Sequence, residues 1–241
     1  MKIDRFFIGV LSVAFLTGCG NANNANADFD QISASLNEQQ CATANGKVVE
    51  TLDVEDEGMK IVDMGLSVKW ASCNLGANKS EQSGFYYAWG ETEVKANYNA
   101  TNSTTYSYSL SELKSMKFIN SQNILLPTKD AATAKLGKEW RIPTKEEAEE
   151  LIKKCEWEWV LKNGVKGYKV TGPNGKFIFI PSKGYFFGAQ LYDTDESGNY
   201  WTSNGYDNGN FSYAMDFTKR GAKVTSSGRS GGRCIRPVYA R

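Results

Sequence analysis

The clearest periodic stretch is residues 145–155. Ala148, Leu151, Ile152 and Cys155 stand at i, i+3, i+4 and i+7, which gathers them on one face of a helix. Thr144 and Glu147 have the spacing of a capping box. Glu146 and Glu147 suit the positive end of the helix, and Lys153 and Lys154 the negative end. The spacing therefore predicts a helix over Lys145–Cys155. Thr128 is expected to cap a shorter one, Lys129–Leu136, closed by Gly137, and Leu110–Phe118 reads as a helical segment within a polar stretch. Elsewhere the period is two. Lys47–Val54, Lys60–Val62, Val68–Ser72 and Phe85–Trp89 read as strands, the second and third joined at Gly65. After the main helix, Tyr168–Thr171 and Lys176–Ile180 flank Gly172-Pro173-Asn174-Gly175 as a hairpin. Tyr200–Ser203, Phe211–Thr218, Ala222–Ser226 and Arg233–Tyr239 are further strands, with turns at Asp207-Asn208-Gly209 and Gly221. The expected class is α+β: two helices with a meandering antiparallel sheet.

The N-terminus follows a different pattern. Lys2 and Arg5 precede an apolar run, Phe6–Leu16, that is shorter than the roughly 20 residues a spanning helix needs. Leu16-Thr17-Gly18-Cys19 follows at once and resembles the lipobox of bacterial lipoproteins. The resemblance implies a signal peptide over residues 1–18 and lipidation of Cys19. Acyl chains there would supply membrane affinity of about 0.8 kcal/mol per buried CH₂. Gly20 follows Cys19, not the Asp that marks inner-membrane retention in some bacteria, so the implied destination is the outer membrane, facing the periplasm or the exterior. Gly20–Asp28 is almost entirely Asn and Ala and has no apolar periodicity. Residues 19–45 are thus expected to be a flexible tether, and 46–241 the folded domain.

Composition narrows the chemistry. The 241 residues include 28 Lys+Arg, 27 Asp+Glu and no His. Ser-His-Asp and Cys-His catalysis and two-His metal sites are thereby excluded. The near-neutral charge argues against a nucleic-acid partner. With Cys19 lipidated, Cys41, Cys73, Cys155 and Cys234 remain. An even number in an exported chain suggests two disulfides, for which three connectivities are open.

Several motifs recur in a fixed order. Val62-Asp63-Met64-Gly65-Leu66-Ser67-Val68-Lys69-Trp70-Ala71-Ser72-Cys73-Asn74-Leu75-Gly76-Ala77 is followed by Gly84-Phe85-Tyr86-Tyr87-Ala88-Trp89-Gly90-Glu91-Thr92 and then by Trp140-Arg141-Ile142-Pro143-Thr144. Cys155-Glu156-Trp157-Glu158-Trp159, Gly164-Val165-Lys166-Gly167-Tyr168, Tyr200-Trp201-Thr202-Ser203 and Ile235-Arg236-Pro237-Val238 complete the series. Over about residues 60 to 239 the chain resembles the Fibrobacter succinogenes major paralogous domain found in exported proteins of Bacteroides-type bacteria. The resemblance implies a C-type-lectin-like fold, which is also used by a formylglycine-generating oxidase, and it brings no established activity. It further implies Cys73–Cys155 and Cys41–Cys234 as the disulfide pairs. Trp70, Trp140, Trp157 and Trp201 are expected in the core, and Arg141 and Arg236 are expected to anchor loops through backbone carbonyls.

Four features are candidates for chemistry. Asp193, Asp195 and Ser197, followed by Gly198, have the opening of an oxygen-rich calcium loop, although Asn204 holds the twelfth position where a Glu is needed. Calcium is the one cofactor considered. Tyr185, Phe186, Phe187 and Tyr192, with Tyr206 beyond, could stack on a sugar or a protein partner, and Tyr98, Tyr106 and Tyr108 are similar candidates. The last 31 residues carry Lys219, Arg220, Lys223, Arg229, Arg233, Arg236 and Arg241 against Asp216 alone, a basic stretch able to attract a polyanion. Glu146, Glu147, Glu149 and Glu150 lie along one helix and not across a cleft, so they read as a solvated face. Together these features describe an anchored, non-catalytic binding or adhesion module for a glycan or protein. The alternatives are an accessory structural subunit of a surface assembly and an oxidase-type enzyme sharing the fold.

Overall fold

The computed structural model describes residues 58–240. The signal peptide, the tether, Cys19, Cys41, the expected strand Lys47–Val54 and Arg241 lie outside the described residues.

In chain order the elements are β1 (Ile61–Val62), β2 (Lys69–Ala71), α1 (Leu110–Ser115), α2 (Ala131–Leu136), β3 (Trp140–Arg141) and α3 (Lys145–Lys154). Then come β4 (Glu156–Lys162), β5 (Val165–Thr171), β6 (Phe177–Pro181), β7 (Lys183–Phe187) and β8 (Gln190–Thr194). β9 (Ser197–Gly205), β10 (Phe211–Thr218), β11 (Gly221–Gly228) and β12 (Val238–Tyr239) complete the chain. The class is α+β. Among the described residues there are three α-helices where two were expected, and the strands form three sheets, not one meander: β1-β2-β12-β3, β4-β5-β6 and β11-β10-β9-β7-β8. The last sheet is not purely antiparallel, because β7 meets β9 in parallel through Gly184 and Gly198. Both glycines are required there. A Cβ on Gly184 would lie 1.7 Å from the Tyr192 carbonyl oxygen, and one on Gly198 would lie 2.0 Å from the Phe217 ring.

Helix α3 forms as its sequence dictates. The Thr144 hydroxyl accepts from the Glu147 amide, and the Glu147 carboxylate accepts from the Thr144 amide. Ala148 and Leu151 are fully buried, and Ile152 and Cys155 pack partly buried against the same core. The start of α2 differs from expectation. Pro127–Lys129 form a 3-10 turn, so the α-helix begins later and its cap is Asp130, not Thr128. Asp130 accepts from the amides of Thr133 and Ile142, which fastens α2 to the loop after β3. Burial raises its carboxyl above the usual range. Phe85–Trp89 is not a regular strand. Its one β-bridge is at Tyr87, which exchanges backbone hydrogen bonds with Arg233, while the amides of Phe85 and Trp89 donate to the carbonyls of Leu75 and Arg229. The expected strand Arg233–Tyr239 shortens to β12, and Gly232 and Cys234 make isolated bridges to Phe186 and Tyr200.

The core has two clusters. One gathers Trp70, Leu151, Tyr168, Val170, Ile180, Tyr200 and Phe217 where α3 meets the sheets, with Trp157 and Trp159 edge-on to Tyr168 and Phe217. The other gathers Trp89, Leu113, Leu125, Trp201 and Ile235. The indole N–H groups of Trp89 and Trp201 donate to the carbonyls of Thr202 and Tyr87, so both rings are buried without leaving a donor stranded. Trp140 and Trp157 are only partly buried.

The basic C-terminal stretch does not form a surface patch. Arg229, Arg233 and Arg236 are buried, because the surrounding loops present carbonyls to them. Arg229 donates to the carbonyls of Thr105, Tyr108, Tyr206, Gly209 and Phe211 and to the Ser212 hydroxyl, and its guanidinium lies 5.1 Å over the Trp89 ring. Burial lowers its pKa to about 10. Arg236 donates to the carbonyls of Ala71, Ser72 and Phe179 and to the Asn74 amide oxygen, as its expected anchoring role requires. Arg141 keeps that role in part, donating to the Ile142 carbonyl at 3.3 Å, but its main partner is Glu147, which it grips with both terminal nitrogens at 2.7 and 2.5 Å. Lys219, Arg220 and Lys223 are the exposed remainder of the basic stretch among the described residues.

Among the described residues, Cys155 and Cys234 are thiols and the expected Cys73–Cys155 bond is not formed; the expected Cys41–Cys234 pair involves Cys41, which lies outside the described residues. Each sulfur has a separate environment. Cys73 Sγ donates to the Ala77 carbonyl at 3.1 Å, Cys155 closes α3, and Cys234 is fully buried beside Tyr86 and Tyr200. Burial raises the Cys155 thiol to about 11 and that of Cys234 to about 12.

Candidate functional site

The β7–β8 hairpin is where the aromatic candidates meet. Its register sets Tyr185 opposite Tyr192, Phe186 opposite Leu191 and Phe187 opposite Gln190. With a side-chain period of two, Tyr185, Phe187, Gln190 and Tyr192 share one face, and Phe186 and Leu191 share the other. The Tyr185 and Tyr192 rings stack, with centroids 5.8 Å apart and planes 24° from parallel. The Tyr192 hydroxyl donates to the Gln190 side-chain oxygen at 2.7 Å, which fixes the ring. Phe187 is 62% exposed and Tyr192 38% on the first face, and Leu191 is 42% exposed on the other, so large apolar side chains face water on both sides of the hairpin.

The hairpin is braced from within. Phe186 is half-buried: its ring meets Tyr86 edge-on at 4.8 Å and Tyr98 at 5.6 Å. Phe186 also exchanges backbone hydrogen bonds with Gly232, and Gly188 exchanges them with Tyr98. The Arg233 guanidinium lies 5.5 Å over the Tyr185 ring and 4.5 Å over Trp201, linking the stacked tyrosines to the second core cluster. Burial lowers the Arg233 pKa, offset by the charge of Asp216, whose own carboxyl is raised by burial. β8 is the edge of its sheet and every one of its residues is exposed.

Of the other aromatic candidates, Tyr206 packs against Tyr213 at 5.1 Å and takes no part in the stacked pair. Tyr98 is buried, its hydroxyl donating to the Tyr86 carbonyl, whereas Tyr108 is exposed. Leu191 is also exposed, on the face it shares with Phe186, and an isolated Leu between Gln190 and Tyr192 carries no signal of its own in the sequence.

The calcium candidate is a tight turn. Asp193 and Asp195 both adopt left-handed backbone angles, with φ of 57° and 63°. The Glu196 amide donates to the Asp193 carbonyl and the Asp195 amide to the Ser182 carbonyl. Ser197 Oγ accepts from the Asn199 amide nitrogen. Among the described residues, no group of three His, Cys, Asp or Glu could hold a metal ion. Three of the four α3 carboxylates are committed elsewhere: Glu147 to Arg141, Glu149 to Lys153, and Glu150 to Lys154 and Ser67.

Other clefts lie elsewhere on the surface. One of about 340 Å³ has Phe85 and Val94 beside Tyr87 and the Glu93–Lys135 ion pair. Another, of about 350 Å³, lies between Val62 and Phe177. A further one, of about 450 Å³, lies where the β4–β5 hairpin faces the β8–β9 and β10–β11 turns. Among the described residues no helix is long and apolar enough to cross a membrane. No family model, no curated protein and no solved structure matches the chain.

Proposed function

We propose that this chain is an outer-membrane lipoprotein, anchored through Cys19, whose C-type-lectin-like domain is a non-catalytic binding module for a glycan or protein ligand. The observation that carries the binding reading is the outward stripe of the β7–β8 hairpin: the stacked Tyr185–Tyr192 pair beside the exposed Phe187. Three large apolar groups held at the surface by a rigid strand pair are costly to leave in water, and covering them with a ligand recovers that free energy. Bracing by Phe186 and Arg233 reduces the entropy lost when a ligand orders the stripe. The membrane anchor and outer-membrane destination rest on the Leu16–Cys19 motif and Gly20.

The physical state of the thiols favours a binding module over an oxidase-type enzyme. A nucleophilic Cys needs an electropositive setting that lowers its pKa, whereas burial raises Cys155 and Cys234. Screening the full chain against an array of immobilised glycans, with calcium and with chelator, tests the proposal. Binding lost on Tyr185→Ala and Tyr192→Ala supports the hairpin as the site. An array without hits directs attention to a protein partner, sought by co-purification after mild detergent extraction. Binding that survives chelator removes calcium from the recognition step.

A further inference from the structure

We propose that the cleft between the β4–β5 hairpin and the β8–β9 and β10–β11 turns binds a carboxylated sugar of the uronic-acid kind. The cleft has a volume of about 450 Å³, within the range of small-ligand sites. Lys166, Lys219 and Arg220 line it together with Asp195 and Glu196. Charges of both signs thus face one space. Among the described residues, none of these five side chains enters an ion pair, in contrast to Glu147, Glu149 and Glu150 of α3, each held by a Lys or Arg. A ligand that brings both an anion and hydrogen-bond donors satisfies the two sets at once. The cations outnumber the carboxylates, so the matching ligand carries one net negative charge. A bare anion would meet repulsion from Asp195 and Glu196, whereas sugar hydroxyls can donate to them.

The remaining wall is apolar. Trp159 lines the cleft half-buried, its indole fixed by edge-on contacts to Tyr168 at 5.0 Å and Phe217 at 6.4 Å. A fixed indole beside polar groups suits the C–H face of a pyranose ring. The turns that carry the charges are themselves anchored. The Tyr168 hydroxyl donates to the Thr218 carbonyl at 2.9 Å, the Arg220 amide to Thr218 Oγ1 at 3.2 Å, and the Asp195 amide to the Ser182 carbonyl at 2.9 Å. The site is therefore organised before a ligand arrives. It is separate from the aromatic hairpin and does not depend on the hairpin being a binding surface.

The test is calorimetric titration of the full chain, in EDTA, with sodium glucuronate, glucose and the dipeptide glycylalanine. Glucuronate should bind saturably, and glucose at least about tenfold more weakly, because it leaves the cations unsatisfied. The double variant Lys219→Ala, Arg220→Ala should weaken glucuronate at least about tenfold with an unchanged circular-dichroism spectrum, since both side chains are exposed. Trp159→Leu should weaken it as well, and raising the salt should do the same. Equal binding of glucose and glucuronate, tighter binding of the dipeptide, no saturation by glucuronate, or undiminished binding by the double variant would each overturn the proposal.

Discussion

The C-terminal arginines and the β7–β8 hairpin exchange the places their side chains suggest. Arg229, Arg233 and Arg236 belong to the most basic stretch of the chain, yet all three are buried. Phe187, Leu191 and Tyr192 belong to an apolar and aromatic stretch, yet they face water. Hydrogen-bond satisfaction explains the first inversion. A guanidinium has five N–H donors, and loops that cannot pair with one another must find donors for their carbonyls. Arg229 supplies them to segments around residues 105–108 and 206–211, and Arg236 to the end of β2 and the middle of β6. The second inversion follows from position. Among the described residues β8 is a sheet edge and all its side chains are exposed, so its apolar groups have nothing to pack under there. Polar groups thus work as internal braces here, while apolar groups are left for an external contact.

The largest effect should come from breaking a brace. Arg229→Ala strands several buried carbonyls and removes the cation from Trp89, and we expect a loss of about 4 kcal/mol in urea unfolding. Arg229→Lys should recover less than half of that, because one ammonium cannot span the carbonyls that the planar fork reaches. A lysine variant as stable as the parent would mean that charge, not geometry, is what the loops need.

Next come neighbours on opposite faces of one strand. Phe186→Ala should cost about 3 kcal/mol, since its ring fills the space beside Tyr86 and Tyr98. Phe187→Ser should change stability by no more than about 0.5 kcal/mol. Comparable losses at both positions would erase the distinction between brace and presented surface.

A smaller effect is set by pH. The Cys155 and Cys234 thiols release protons only near 11 and 12, while an unfolded chain releases them near 9. Burial also raises the hydroxyls of Tyr86, Tyr87 and Tyr200. Between the unfolded and folded values, the folded state holds more protons, so stability falls as pH rises. The melting temperature should therefore decline from about pH 9 upward, with a shallower slope in Cys155→Ala. A flat profile from pH 8 to 11 would contradict this burial. The same thiols give the smallest signal: in native protein without reductant, iodoacetamide should leave Cys234 unmodified, and after denaturation it should label both Cys155 and Cys234. A Cys234 that resists labelling even when denatured would reveal a disulfide in place of a thiol.

The sequence reading succeeded where the cause was local. The capping box Thr144–Glu147, the apolar period of α3 and the Gly172–Gly175 turn between β5 and β6 involve residues a few positions apart, and each is found as expected. It missed what depends on distant segments. Nothing near Arg229 in the chain indicates that carbonyls from residues 105, 108 and 206 converge on it. Asp130 displaced Thr128 as a cap because Pro127 favours a 3-10 turn and because the Ile142 amide, twelve residues away, needs an acceptor. The run Lys183–Phe187 does not alternate, so β7 and the burial of Phe186 could not be read from period alone. The aromatic group was visible as a cluster, but the register that turns Phe186 inward and Phe187 outward was not.

The central claim is that the outward stripe of the hairpin is a presented binding surface and not a part of the core. The measurement that tests it most directly is ligand capture on a glycan array by the full chain carrying Phe187→Ser and Tyr192→Ser together, with its unfolding midpoint recorded alongside. The account predicts a loss of captured ligand of at least about tenfold with a midpoint close to that of the parent. Undiminished capture, or a collapse of stability in the double variant, would contradict it.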